Sequence, residues 1–501
     1  MLLRELLFEG DYLYVSDPRI FSEKVHGIWS DSRKICEGDV FVCLKGIHTD
    51  GLLHIFDAQK RGAVLVICEN STPLCPLPFV IVKNARRILS LMLYRFYGEP
   101  TKNMKLFAVT GTNGKTSTCI YLNRIFHEAG IKTAYIGTLK PYIGTERFYL
   151  GDDDDESIST MTTPDPEQLY KILYNYKKVG VEHAVIEASS HALRLDKLYP
   201  LRFFASALLN ISPEHMDFHG DMGSYLLSKC KIFNMSDRVL ICADDNMCFS
   251  AKGVFDTEVS SFGIYNPDAD IMAQRVRKKG LCGIEYTLKG SGSSFNISCK
   301  VPGEFTVYNT LAAASMALCA GISPEVISSA IENTEHIDGR MEKLDLGRYN
   351  NKLSVIIDYA HTEAALKNIL GEVASVKDKK QRIVTVFGCG GDRDKEKRAP
   401  MARAASLYSD IVIITEDNSR NEDPDGIIKD ILAGIDSTKE YVVIKNRKKA
   451  IEYAIENAQE GDIILLVGKG HESYEINGDE KRPFSEKKIV YEYLGIDEPE
   501  D

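Results

Sequence analysis

An α/β architecture spread over three domains, with mainly parallel sheets, is what this sequence predicts, and three observations predict it. Short apolar runs that read as buried strands alternate with stretches whose apolar residues recur at helical spacing. Polar clusters repeatedly follow the ends of those runs, as they do at the binding edge of doubly wound sheets. At 501 residues the chain is too long for one ordinary core, and typical domain sizes divide it into roughly three. The divisions fall at residues 1–100, 101–338 and 339–501.

The first region holds one α/β unit. A turn at Glu37-Gly38 leads into a strand from Val40 to Leu44, and Ala63 to Cys68 and Phe79 to Val82 are two further strands. Asp31, Ser32 and Arg33, taken by themselves, are turn and ion-pair residues.

The central region opens on the strand Leu106 to Val109, which runs into Thr110-Gly-Thr-Asn-Gly-Lys-Thr116 and then a helix. Such a turn leaves backbone N–H groups unpaired where an anion can sit, so Gly111, Thr112, Asn113 and Gly114 form a phosphate cradle. Lys115 is placed to neutralise β/γ-phosphates and the Thr116 hydroxyl to hold Mg²⁺. Val109 stands where the general pattern has glycine, and the shorter motif is the narrower signal. The acidic run Asp152 to Glu156 is expected to be a solvated loop. Thr162-Thr-Pro-Asp-Pro166 is a turn feeding a helix, with hydroxyls able to cap it or to meet an anionic substrate.

The strand Ala184 to Glu187 ends on a carboxylate beside Ser189, Ser190 and His191, where a hydrated Mg²⁺ would meet phosphates. An ion-pair role for Glu187 fits as well. The strand Phe204 to Leu209 ends in Asn210-Ile-Ser-Pro-Glu-His215, whose His215 is either a second ligand or structural. Lys229 interrupts the apolar face of a helical stretch, and a surface lysine is its simplest reading. Asn309, near the start of another helix, can cap it or read a purine edge. His336-Ile-Asp-Gly-Arg-Met-Glu342 reads as a hinge with Arg340 at the joint.

In the last region five strands, Val355 to Ile357, Ile383 to Phe387, Ile411 to Thr415, Tyr441 to Ile444 and Ile463 to Val467, alternate with helices as in a doubly wound sheet. Four polar clusters follow them: Asp358 to His361, Gly388 to Lys395, Glu416 to Arg420 and Gly468 to Glu472. Gathered at one sheet edge they would make a binding cleft.

The formal net charge of -11 argues against a nucleic-acid partner, which needs clustered cations. No apolar run is long enough to span a membrane, and the first residues, Met1-Leu-Leu-Arg-Glu5, carry charges and read as no signal peptide. The 12 cysteines are scattered without a C-x-x-C pair, a usage expected of reduced cytoplasmic thiols.

These motifs, in this order, resemble those of the Mur ligases, the ATP-dependent amide-bond synthetases of peptidoglycan precursor assembly. The resemblance runs from Asp31-Ser-Arg33 to Gly468-Lys-Gly-His-Glu472. It implies an N-terminal domain for a UDP-substrate, a central P-loop ATPase and a Rossmann-like C-terminal domain that brings an amino acid. By the same resemblance Ser32, Thr162, Thr163 and Ser189 contact UDP-N-acetylmuramoyl-L-alanyl-D-glutamate. Glu187 and His215, with Thr116, hold Mg²⁺, and Lys229 carries a carbamate (N6-carboxylysine), which turns a cation into an anion. Asn309, Arg340 and Asp358 match positions that hold the adenine, phosphates and ribose of ATP. Lys115, Glu187, His215 and Lys229 are the implied catalytic set.

Within the family the chain is most similar to members that add the third amino acid. Arg420, in Asp417-Asn-Ser-Arg420, stands where diaminopimelate-adding members carry an arginine and lysine-adding members do not. An arginine fork grips the extra carboxylate of meso-diaminopimelate in two parallel bonds. Left desolvated without that partner it would cost about 2 to 5 kcal/mol. Arg393, Asp417, Asn418, Gly468 and Glu472 match the rest of the amino-acid site, with Glu472 available to the distal ammonium. Ser419 replaces the usual proline of this loop, Glu363 replaces a proline after Asp-Tyr-Ala-His-Thr362, Thr306 stands where asparagine is common, and Lys197 where arginine is usual.

The implied chemistry is attack of the D-glutamate carboxylate on the γ-phosphate of ATP, then displacement of phosphate from the acyl phosphate by the incoming amine. Closure about a hinge near Gly339 and a cytoplasmic monomer are expected with it. The alternatives are the same ligase using L-lysine or another diamino acid, and a nucleotide-binding regulator without catalysis.

Overall fold

The computed structural model describes residues 1–46, 49–70, 75–148, 161–253, 257–478 and 480–499, so the acidic run Asp152 to Glu156 lies outside the described residues. The chain forms two compact units, Met1–Phe262 with Asn266–Ala269 and Ala312–Ile322, and Gly263–Tyr265 with Asp270–Leu311 and Ser323–Asp501. Among the described residues no helix is long and apolar enough to cross a membrane.

The first unit begins with a small sheet of β1 (Tyr14–Val15), β2 (Ile28–Trp29), β3 (Val40–Val42), β4 (Leu65–Cys68) and β5 (Phe79–Ile81), in the order β1-β5-β4-β3-β2. All pairings but that of β1 are parallel. Every residue of β3 and β4 is buried, which is why these strands are unbroken apolar runs rather than alternating ones.

Next come β6 (Lys105–Thr110), β7 (Thr133–Ile136), β8 (Tyr142–Ile143), β9 (Glu146–Arg147), β10 (His183–Glu187), β11 (Ala205–Leu208), β12 (Arg238–Cys242) and β13 (Glu258–Gly263). Strand β6 lies between β10 and β11, parallel to both. Glu187 pairs with Val109 and Leu208 with Thr110, so the carboxyl ends of three strands meet beside the glycine-rich loop. The helix Lys115–Glu128 starts there, with Gly114 at its N-cap in the left-handed region (φ 86°). Its Cys119, Leu122, Ile125 and Phe126 are buried. The short antiparallel β7-β8-β9 meander was not foreseen from the sequence.

In the second unit β14 (Ile271–Lys278), β15 (Ile284–Gly290) and β16 (Ser293–Cys299) form an antiparallel ladder, also unforeseen. Its signal is a plain period of two: Ile284, Tyr286 and Leu288 are buried while Glu285, Thr287 and Lys289 are not. The larger sheet contains β17 (Glu342–Lys343), β18 (Leu353–Asp358), β19 (Ile383–Phe387), β20 (Ile411–Ile414), β21 (Glu440–Val443) and β22 (Asp462–Val467). Their order is β17-β18-β22-β19-β20-β21, parallel except at β17. Asp358 and Phe387 both pair with Val467, and Phe387 also with Ile414, which brings the four polar clusters to one edge. A hairpin of β23 (Tyr474–Asn477) and β24 (Glu480–Pro483) joins that edge through a bridge between Asn477 and Arg420.

Candidate active site

The phosphate loop is clamped by the chain that follows β11. Asn113 N donates to Asn210 Oδ1 at 2.8 Å while Asn210 Nδ2 donates to Asn113 O at 3.0 Å, so one amide imitates a strand partner for the loop. Thr112 Oγ1 meets Tyr225 OH at 3.0 Å and accepts from Ser212 N at 3.0 Å. At Gly111 (φ 149°) a Cβ would stand 3.0 Å from Leu209 Cβ and 3.3 Å from Asn210 N, so close packing as well as conformation requires glycine. Lys115 Nζ folds back to donate to Gly111 O (2.9 Å) and Thr112 O (2.8 Å), a ready supply of donors for an incoming phosphate.

The Tyr-x-x-x-Lys spacing puts Tyr225 and Lys229 on one face of the helix Met222–Cys230, itself capped by the Asp221 side chain on Ser224 N. Lys229 is therefore no surface residue. It is buried, and its Nζ donates to Gly111 O at 2.7 Å. Burial, with the Lys115 charge added, holds its amine well below the usual lysine range. His215 (φ 57°) makes an edge contact with His191 at 4.6 Å between ring centroids, and burial keeps its imidazole below the usual range.

Glu187 is fully buried at the end of β10. Its Oε1 accepts from Tyr135 OH and from Thr138 N (3.0 Å), its Oε2 from Thr138 Oγ1 (3.1 Å). Thr138 Oγ1 also reaches Thr162 Oγ1 at 3.3 Å. Thr163 Oγ1 donates to Glu187 O at 2.7 Å and accepts from Ser189 N at 3.0 Å. Thr162, Thr163, Ser189 and Glu187 are thus one hydroxyl-rich cluster, to which sequence reasoning had not added Tyr135 or Thr138. Lys197 forms an ion pair with Asp165 at 2.8 Å. Ser32, in a turn whose Asp31 pairs with Arg33, borders a surface depression with Arg33, Asp57, Lys60 and Arg61.

The donor set suits a hard cation. Thr116 and Glu187 offer the oxygen donors Mg²⁺ takes, whereas the Lys229 amine becomes one only as a carbamate. Among the described residues the one trio of carboxylate, imidazole or thiol groups already within 4.8 Å is His336, Asp338 and Glu342 in the second unit, so Glu187 and His215 form no such preassembled trio. In that trio Glu342 accepts from Gly339 N at 2.8 Å and faces Lys487 at 3.5 Å.

In the second unit Asp358 spends both oxygens on the backbone, accepting from Met341 N and Ala360 N at 2.7 Å each. Burial pushes its carboxyl up to about 6. The Arg340 guanidinium lies 4.6 Å over the Tyr359 ring. Asn309 is buried in the helix Glu304–Cys319. Gly339 (φ 62°) packs backbone to backbone: a Cβ there would stand 2.3 Å from His471 N, and one at Gly470 would stand 2.7 Å from Tyr359 Cβ.

At the strand edge Arg420 Nη1 donates to Gly391 O at 2.9 Å. A Cβ at Gly390 would touch both Arg420 Nη1 (2.9 Å) and Arg393 Cγ (3.8 Å), so the two arginines are neighbours. Partial desolvation of the otherwise exposed Arg393, and then the Arg420 charge, lower its guanidinium from its usual value. Asn418 Nδ2 donates to Glu472 Oε2 at 2.8 Å, and burial beside Asp417 raises the Glu472 carboxyl. Gly468 (φ 113°) turns the chain where a Cβ would press on Asp417 Oδ2 at 3.0 Å. Two further residues stood outside the sequence reading. Lys469 is buried among Asp417, Asn418 and Glu472, and Arg447 joins Glu416 O (3.2 Å) and Val467 O (2.8 Å) beneath the two loops.

Three family models match the chain: "Mur ligase family, catalytic domain" over residues 24–91, "Mur ligase middle domain" over 109–317 and "Mur ligase, glutamate ligase domain" over 339–470. The UDP-N-acetylmuramoyl-L-alanyl-D-glutamate--2,6-diaminopimelate ligase of Clostridium perfringens is 36% identical over 502 residues, covering 99% of each chain. The ligase of the same description from Aquifex aeolicus is 36% identical over 477 residues, 95% of each. A solved structure of such a diaminopimelate ligase is similar with a TM-score of 0.68 and 27% identity over 99% of each chain. The Mycobacterium tuberculosis folylpolyglutamate synthase shares the fold, at a TM-score of 0.63 and 16% identity over 81% of this chain and 95% of that one. With likeness of this extent reaching from one end of the sequence to the other, the chain belongs to the Mur ligase family of ATP-dependent amide-bond-forming ligases.

Proposed function

We propose that this chain adds meso-diaminopimelate to UDP-N-acetylmuramoyl-L-alanyl-D-glutamate at the expense of ATP, as a monomer in the cytoplasm, with domains at 1–100, 101–338 and 339–501. The observation that carries the reading is that two neighbouring arginines, Arg393 and Arg420, stand at the same sheet edge as the carboxylate of Glu472, which Asn418 holds. A zwitterionic end group, carboxylate beside ammonium, is the complement of that edge. Lysine has the ammonium without the carboxylate and would leave the guanidiniums unmatched. The names of the 36%-identical relatives support the same choice.

In this reading the depression beside Ser32 takes the UDP diphosphate, with Arg33, Lys60 and Arg61 as its cations. Thr162, Thr163 and Ser189 hold the muramoyl-dipeptide near Glu187. The loop Gly111–Thr116 receives the ATP phosphates, where Lys115 exchanges loop carbonyls for phosphate oxygens as charge moves in the transfer. Mg²⁺, when bound, neutralises charge on the transferring phosphoryl group. Thr116, Glu187, His215 and carbamylated Lys229 would hold it. Asn309, Arg340 and Asp358 serve the adenine, phosphates and ribose. Asp417, Asn418, Arg420, Arg393, Gly468 and Glu472 orient the diamino acid so that the reacting amine attacks the acyl phosphate.

Phosphate release by the purified protein with ATP, Mg²⁺ and the UDP-muramoyl-dipeptide tests the proposal, comparing meso-diaminopimelate with L-lysine. Release with diaminopimelate alone is expected. Release with lysine alone overturns the assignment of the amino acid, and release with neither overturns the reaction.

A further inference from the structure

The Lys469 side chain is fully buried, an expensive place for a lysine unless its donors and charge are met. Its Nζ donates to Asn418 Oδ1 at 3.1 Å and to Tyr474 O at 2.9 Å. The ammonium also stands 3.6 Å from Asp417 Oδ1 and 3.6 Å from Glu472 Oε2. Those are charge contacts rather than hydrogen bonds.

Two consequences follow. The first concerns the Asn418 amide, whose two ends are sterically alike and chemically opposite. Lys469 Nζ and Ile476 N (2.9 Å) both donate to its oxygen, which turns the nitrogen to Glu472 Oε2 at 2.8 Å. Without Lys469 the amide oxygen would be held by Ile476 N alone, and a rotation that set it against the Glu472 carboxylate would be opposed by one donor instead of two. The second concerns charge. Asp417, Glu472 and Lys469 together leave one net negative charge, the complement of one ammonium. Without the lysine two carboxylates would face each other, and either would draw in a proton or a second cation.

We propose that Lys469 is a positioning residue of the amino-acid subsite: with Ile476 N it holds the nitrogen end of the Asn418 amide toward Glu472, and it offsets one of the two carboxylate charges of Asp417 and Glu472, leaving one for a primary ammonium. The proposal rests on the reading that Asn418, Arg420 and Glu472 hold the amino acid. Lys469 itself touches no reactant and acts through Asn418 and Glu472.

The test uses the full-length enzyme, with KM for each of the three substrates read from ADP release. A second readout is the Tm shift given by meso-diaminopimelate in the presence of the UDP-substrate and a non-hydrolysable ATP analogue. In K469M the KM for meso-diaminopimelate should rise about tenfold or more, while those for ATP and the UDP-substrate stay within about twofold and kcat falls less than about fivefold. The diaminopimelate-dependent Tm shift should disappear. K469Q, which keeps a polar amide in the buried site but carries no charge, should fall between K469M and wild type. An unchanged KM for diaminopimelate, or equal rises for all three substrates, overturns the role. If K469M does not fold, K469Q decides by the same limits. Wild-type enzyme that releases no ADP with diaminopimelate overturns the underlying reading; active wild type with an unresponsive K469M overturns the role of Lys469 alone.

Discussion

Lys115 and Lys229 point their amines at the same oxygen: Gly111 O accepts from Lys115 Nζ at 2.9 Å and from Lys229 Nζ at 2.7 Å. Two ammonium groups cannot share one carbonyl cheaply, and burial, with the Lys115 charge added, holds the Lys229 amine well below the usual lysine range. A neutral amine is the form that reacts with CO₂, so burial and the Lys115 charge favour the form that the proposed carbamylation of Lys229 would need.

Replacing Lys229 should therefore remove more than a charge. In Lys229→Ala turnover should fall about a hundredfold or more, with partial recovery when a small carboxylate such as acetate is added to the ADP-release assay. Wild-type turnover would sink the role, and loss without recovery would reduce it to packing.

Tyr135 and Thr138 fix the Glu187 carboxylate from one side. Tyr135→Phe keeps the ring and removes the O–H donor, so the Mg²⁺ concentration for half-maximal activity should rise about tenfold with the fold intact. A magnesium titration of both proteins reads this directly, and coincident curves would count against Glu187 as a ligand.

Arg420→Ala should raise the KM for meso-diaminopimelate about a hundredfold and leave that for ATP within about twofold. Equal effects on both substrates would assign Arg420 to holding the Gly391 and Asn418 carbonyls.

Asp358 predicts a pH dependence of stability. Its carboxyl is pushed from 3.8 up to about 6 by burial, so the folded state binds its proton more tightly than the unfolded chain does. The stability this group contributes is full below pH about 4 and is lost as pH rises through about 6, on the order of 3 kcal/mol in all. Urea midpoints between pH 4 and 7 should fall more steeply for wild type than for Asp358→Asn. Parallel curves would mean that the carboxyl titrates normally.

Arg447 and Glu486 form a fully buried pair at 2.9 Å. Arg447→Met alone should cost about 3 to 5 kcal/mol by stranding Glu486, while Arg447→Met with Glu486→Leu should recover most of that. Failure of the double variant to recover would place the cost in the lost contacts to Glu416 O and Val467 O instead.

The parallel strands were legible because buried parallel strands are continuous apolar runs, and the cradle because its glycines and lysine are adjacent in sequence. What stayed hidden depends on partners far along the chain. Lys229 meets an oxygen 118 residues away and Tyr135 a carboxylate 52 residues away, and neither helical periodicity nor a short motif carries such a distance. Lys469 was passed over because a lysine within Gly468-Lys-Gly470 reads as a loop residue until the hairpin β23–β24 covers it. The ladder β14–β16 had a legible period of two and was simply outweighed by the motifs around it.

Gly339 and Gly470 leave no slack between the segment before β17 and the loop that follows β22. With the Gly339 Cα against the His471 amide and the Gly470 Cα against Tyr359, backbone meets backbone without a deformable side chain to absorb displacement. A displacement of the backbone at residue 339 is thus passed on to Gly470 and His471 as a rigid linkage passes it on. A methyl group at residue 339 would act as a shim in that linkage, forcing the chain at Gly470-His471 away from residue 339.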